Sequence, residues 1–135
     1  MKFVKISQKE LKEMATFYQG VMATAYEGLF YREGKVIGKG ILDVVPESEN
    51  ILEKAAKLIQ ARGWVDEIIL EDEKAFAEGS VEVDEEAVSP CCHRLRGVIA
   101  AVYEKQTGAM VDVIESKCES LGDDHCEFDI DKKGF

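Results

Sequence analysis

The sequence predicts an α+β domain: a mainly antiparallel sheet with N-terminal helices and a further helix packed on one face. Three observations predict it. Apolar residues recur at helical spacing from Leu11 to Ala25 and from Ile51 to Ile59, the period shortens towards two from Trp64, and one more helical segment precedes a closing pair of alternating segments. Strands that pair through short connections give an antiparallel sheet and gather the helices on one side of it.

The first helix carries a complete start signal. In "SQKE", Ser7 is placed to accept from the amide of Glu10 while Glu10 reaches back, and Ile6 and Leu11 are spaced as a hydrophobic staple, so the helix starts at Gln8. Leu11, Met14, Ala15, Tyr18, Val21, Met22 and Ala25 continue at helical spacing, so this helix is expected to bury one face. Residues 28–45, "GLFYREGKVIGKGILDVV", have two readings. They form a hairpin turning at Glu33-Gly34, or a helix in which Gly34 and Gly38 make a flat stripe for close packing. Composition favours the hairpin, because each glycine costs a helix up to about 1 kcal/mol. Ile51, Leu52, Ala55, Leu58 and Ile59 then share a helix face, with Ser48 as its cap and Gly63 closing it in the left-handed conformation.

"WVDEIIL" and "SVEVDEEAV" (residues 64–70 and 80–88) alternate as strands, with Glu71 to Glu78 a turn or a further short strand. Helix signals return at residues 89–108, with Ser89 as N-cap, Pro90 at the first helical position and Gly108 past the end. Leu95, Val98, Ile99, Val102 and Tyr103 form its apolar face, and Gly97, Ala100 and Ala101 keep the rest small, so it packs on more than one side. "AMVDVIES" and "CEFDID" close the chain as a hairpin through Leu121 to His125, with Cys126, Phe128 and Ile130 facing the core.

At 135 residues the chain reads as one domain, residues 1–135, able to bury a core without disulfides. A net charge of -10 opposes nucleic acid or an anionic membrane as main partner. No run approaches the roughly 20 apolar residues of a membrane span, and "MKFVKISQKE" lacks a secretory core, so a cytoplasmic location is expected. The four cysteines then read as reduced thiols or metal ligands.

Two of them, Cys118 and Cys126, stand eight apart behind Glu115 in "ESKCESLGDDHCEF". The Gly122-Asp123-Asp124 turn folds Cys118 back beside Cys126. Residues 115 and 118 fall on opposite faces of a regular strand, so the strand must end or bulge near Lys117 for both to converge. A fourth donor has to come from elsewhere, and the helix opening at Ser89 offers Cys91, Cys92 and His93. Cys92 in the first turn would find free amides and a favourable dipole for a thiolate. Thiolates select zinc or iron over magnesium or calcium. The alternative is that these cysteines are small buried hydrophobes. Glu115 alone reads as an exposed strand carboxylate, and His93 and His125 as surface or capping residues.

The run "PCCHRLRGVIAAVYEKQTGAMVDVIESKCESLGDDHCEFDI" resembles the C-terminal half of the 4-vinyl-reductase-like domain. The motif is a Cys before a helix, a Gly within it, then Glu-x-x-Cys and a second Cys eight on, followed by x-Phe. Relatives include sensor domains of phenol- and aromatic-responsive bacterial transcription activators, a bacteriochlorophyll-biosynthesis protein and stand-alone hydrocarbon-binding proteins. In such sensors three cysteines and a glutamate hold a zinc, the glutamate 23 residues after the first cysteine. Counting back 23 from Glu115 reaches Cys92, so the resemblance implies the ligands Cys92, Glu115, Cys118 and Cys126. It also favours a helix for "YREGKVIGKG", and implies the fold of TRAPP tethering subunits, commonly dimeric through N-terminal helices. Gly34 and Gly38 would pack at that interface or inside one subunit.

A zinc with four protein ligands is structural. The function read from this is a zinc-stabilised homodimeric module that binds and senses an apolar, aromatic or hydrocarbon ligand and passes occupancy to a signalling partner. Trp64, Val98, Val102 and Val113 are the candidate pocket residues, each also placed to be ordinary core. Neither histidine aligns with the polar anchor of the phenol sensors, so phenol itself is not implied. The alternative is a 4-vinyl reductase or an accessory subunit of one. "GKVIGKG" is not the dinucleotide fingerprint, and no hydride source is visible, so the binding module is preferred over an enzyme.

Overall fold

The structure is a computed structural model and describes residues 1–46 and 50–132. Helix α1 (Gln8–Met22) starts at a capping box: Ser7 Oγ accepts from Glu10 N at 3.1 Å and Glu10 Oε1 from Ser7 N at 2.9 Å. Its apolar face stays largely open. Only Leu11 is buried, and Phe17 and Val21 are 66% and 69% exposed. The expected burial of that face is therefore corrected, because α1 reaches past the core and lies against α2 and residues 81–88. It breaks at Ala23, a non-glycine residue at φ 50°, and Ala25 belongs to a 3-10 turn instead of α1.

Residues 26–42 are a helix, α2 (Tyr26–Leu42), so the hairpin reading is set aside. The glycines explain it. Gly34 and Gly38 pack on α4 (His93–Thr107) within the same subunit. A Cβ at Gly34 would overlap the carbonyl of Arg94, and one at Gly97 the carbonyl of Tyr31. One at Gly38 would stand 2.6 Å from the Cβ of Ala101. The helix propensity lost at each glycine is offset by two backbones meeting closely.

Helix α3 (Ile51–Ala61) buries Ile51, Ala55 and Ile59, and Gly63 follows it at φ 87°. The cap expected at Ser48 lies outside the described residues. Strands β1 (Glu67–Leu70), β2 (Lys74–Glu78), β3 (Val111–Lys117) and β4 (Cys126–Lys132) form one antiparallel sheet in the order β1-β2-β4-β3. Helices α3 and α4 lie on the sheet and α2 lies on α4, so α4 is enclosed: ten of its residues are buried, from His93 to Tyr103. Tyr103 donates its hydroxyl to Glu71 O, tying the far end of α4 to the β1–β2 turn.

Two sequence expectations fail around residue 85. Residues 80–88 are not a strand. They cross the N-terminal end of α4, where Glu82 turns inward. Helix α4 starts at His93, not at Pro90, and Ser89 caps nothing. Both Glu82 oxygens take the first free amides, from Arg94 N at 3.1 Å and Leu95 N at 2.8 Å. A carboxylate twelve residues upstream of Arg94 does the work assigned to a local serine.

Candidate metal centre

The site forms where the start of α4 meets the β3–β4 hairpin. Cys92 is the residue before the first helical turn, and its side chain is wholly buried. On β3 the register slips between Glu115 and Lys117 and the strand ends there, which brings Glu115 and Cys118 to the same side. The turn is set by Asp123, whose Oδ2 accepts from Cys118 N at 2.9 Å, and by Gly122 at φ 90°. Cys126 opens β4 with its side chain in the core.

One ligand atom from each of Cys92, Glu115, Cys118 and Cys126 lies within 4.8 Å of all the others. The Cys92 and Cys126 sulfurs are 3.9 Å apart. A tetrahedral ion with metal–sulfur bonds of about 2.3 Å needs sulfurs about 3.8 Å apart. The carboxylate points the same way. Glu115 is 7% exposed, not an open strand residue, and its Oε1 accepts from Cys92 N at 3.0 Å. Its Oε2 is buried and has no hydrogen-bond partner among the described residues, an orphan that a cation would satisfy. Glu119 N points at Cys126 Sγ from 3.4 Å, a donor suited to a metal-bound thiolate.

The electrostatics of the cluster also suit a cation. Burial, together with the neighbouring Cys118 charge, pushes the Glu115 carboxyl up to about 8. Hydrogen bonds from Cys126, Cys91 and Cys92 hold the Cys118 thiol well below its ordinary range, and contact with Cys118 raises Cys92 and Cys126. Burial and mutual contact thus disfavour ionising all four donors together. A divalent ion would let all four donors ionise.

The other singled-out residues lie elsewhere. His93 is buried, not at the surface. Its ring meets Tyr26 edge-on at 5.9 Å, and burial, with Arg96 nearby, lowers it to about 4. His125 lies beside Phe76 at the sheet and 3.5 Å from Glu127. Val98, Val102 and Val113 are in the closed core, and Trp64 packs half-buried at its edge after α3. A cavity of about 410 Å³ lies apart from those four, between α1, α2 and residues 81–91, with Leu11, Phe30, Val83, Glu82, Cys91 and Arg94 in its wall. Glu82 was missed in the sequence reading. Buried and pushed up to about 7 by that burial, it caps α4 and faces Arg94.

With this geometry in view, the region that holds it is similar to known proteins. Residues 74–132 match the V4R domain. The match takes in all four donors. The chain is 28% identical over 111 residues to an uncharacterised protein of Methanocaldococcus jannaschii, covering 76% of this chain and 62% of that protein. It therefore spans less than two thirds of that relative's length. Among solved structures, the fold is similar to the phenol-responsive sensory domain of the transcription activator PoxR, solved with phenol. The TM-score is 0.81 at 17% identity, covering 98% of this chain and 77% of that one. It is also similar to a vinyl-4-reductase family protein of M. jannaschii, with a TM-score of 0.64 at 17% identity over 99% of both chains. The resemblance to V4R proteins and the α+β fold expected from it both hold. No described helix is long and apolar enough to cross a membrane.

Proposed function

We propose that this chain is a small-molecule-binding module of the sensor type, with a structural zinc held by Cys92, Glu115, Cys118 and Cys126. The observation that carries the metal is the convergence of three buried sulfurs on a buried carboxylate whose second oxygen has no partner. Four protein donors fill a tetrahedral site and leave no place for substrate, and three thiolates with a carboxylate outweigh the ion's charge, which suits it poorly to polarising a carbonyl. The role left is to clamp the β3–β4 hairpin to the start of α4, so that metal binding adds to folding stability.

The V4R match and the likeness to a phenol-responsive sensory domain support the small-molecule reading. The guest is apolar or aromatic and contacts Trp64, Val98, Val102 and Val113. Those valines are closed to solvent, so a guest has to part α4 from the sheet, and its presence is then felt along the helix. The cavity under α1 is a second place for it, favoured because it is already open. A homodimer through the N-terminal helices is supported by exposed Phe3, Val4, Phe17, Val21 and Val36. Occupancy would pass from the dimer to a cytoplasmic signalling protein.

Elemental analysis of metal-replete protein is expected to give about one zinc per chain, lost in Cys92→Ser and Cys118→Ser. Full occupancy in both variants would overturn the ligand set. A thermal-shift and native mass spectrometry screen is expected to return an apolar or aromatic binder. Binding of NADPH or a flavin alone would move the reading to a vinyl reductase.

A further inference from the structure

The cavity of about 410 Å³ under α1 has an unspent hydrogen-bond donor in its wall. Tyr26 lines it, 7% exposed, and so does Gln19. Gln19 Nε2 donates to the Tyr26 hydroxyl oxygen at 3.0 Å, which leaves the hydroxyl proton without an acceptor among the described residues. We propose that Tyr26 is the polar anchor of a ligand site in this cavity, donating to an acceptor oxygen of a neutral, mainly apolar guest such as an aryl ketone. The inference rests on the small-molecule reading above, and commits it to the cavity under α1 and to a guest with an oxygen acceptor.

Three features of the wall fix that class. The anchor is held in place: the Tyr26 ring meets Phe30 edge-on at 5.1 Å and His93 at 5.9 Å, so its hydroxyl is positioned before a guest arrives. Leu11, Ala15, Phe30 and Val83 supply the apolar surface for the rest of the guest. The charged groups are matched among themselves. Lys12 pairs with Asp84 at 3.3 Å and Glu86 at 3.9 Å, Arg94 Nε with Glu33 at 3.2 Å, and both Glu82 oxygens cap α4. An ionised guest would have to break one of these pairings or enter without a counter-charge. A neutral oxygen takes the one proton left over, and a pure hydrocarbon would leave it unpaired.

The test uses two probes of similar shape, acetophenone and isopropylbenzene, on the full chain. Because they differ in hydration, the reading is the change each shows in Tyr26→Phe, not their ranking on the wild type. Acetophenone is expected to bind about tenfold more weakly to Tyr26→Phe, with isopropylbenzene unchanged. Ala15→Phe, which fills the space from α1, is expected to lose both. On the wild type, either probe should shift the NMR signals of Leu11 and Phe30 and leave Trp64, at the edge of the core, unmoved. An equal response of the two probes to Tyr26→Phe overturns the anchor. Shifts at Trp64 and Val113 in place of Leu11, or binding retained in Ala15→Phe, overturn the cavity site and leave the small-molecule reading standing in the core. Binding of neither probe overturns the site, and the reading itself falls with it only if the broader ligand screen is also empty.

Discussion

Helix α1 and helix α4 are both fifteen residues long, and they are made in opposite ways. Helix α1 has every local signal, with both capping-box bonds present, and buries one residue, Leu11. Helix α4 has no cap from its own flank and buries ten residues. Its free amides are taken by Glu82, and the amide just before it by Glu115, both distant in sequence. Local chemistry is enough to start a helix, but only partners give it a burial. The α4 region has its partners within the chain, and the apolar face of α1 has few.

The largest effect expected from this contrast is at the cluster. Cys118→Ser removes a donor and, with the metal, the clamp on the hairpin. A loss of roughly 4 kcal/mol or more is expected in denaturant unfolding, with metal content falling in parallel. A chelator should reproduce it on the wild type. An unchanged midpoint would mean that the core alone holds this end together.

Next in size is a pair of glycine substitutions, one in each region. Gly97→Val drives a side chain into the carbonyl of Tyr31 and is expected to cost about 3 kcal/mol by overpacking. Gly20→Ala, in α1, meets nothing within 4 Å and should gain up to about 1 kcal/mol of helix propensity. Equal responses at the two sites would erase the distinction between the helices.

Acid gives a third contrast. His93 is held near 4 in the folded protein against 6.5 for an ordinary histidine. Between those values the unfolded chain binds the proton and the folded one does not, so stability is lost as pH falls from about 6.5 towards 4. His93→Gln should remove that part of the pH dependence, measured as the difference between the two unfolding curves. The smallest effect is at the other helix. Ser7→Ala should cost about 1 kcal/mol locally, seen as faster amide exchange in the first turn of α1 with the global midpoint unmoved.

How much was legible follows the same division. The start of α1 was readable because Ser7 and Glu10 are three residues apart, and the β3–β4 hairpin because its apolar residues alternate. The break in β3 near Lys117 was readable from strand alternation, whereas the meeting of Cys92 with Glu115, Cys118 and Cys126 came only from the family resemblance, since spacing alone left Cys91, Cys92 and His93 open. Helix α2 was ambiguous because Gly34 and Gly38 weigh against a helix until the backbone of α4 is seen lying on them. The start of α4 was misread because Glu82 acts across space, and Val81, Glu82 and Val83 alternate like a strand while serving as a cap. Nor did sequence show that α1 leaves a cavity with Cys91 in its wall.

The meeting of Gly34 with Gly97 carries one more consequence. Where Gly34 meets Gly97 no side chain lies between the two backbones to absorb a displacement, so at that point α2 follows α4 closely. The cysteine end of α4 is thereby joined to the outer helical layer through the close approach of two main chains, a hinge point with little room to slide.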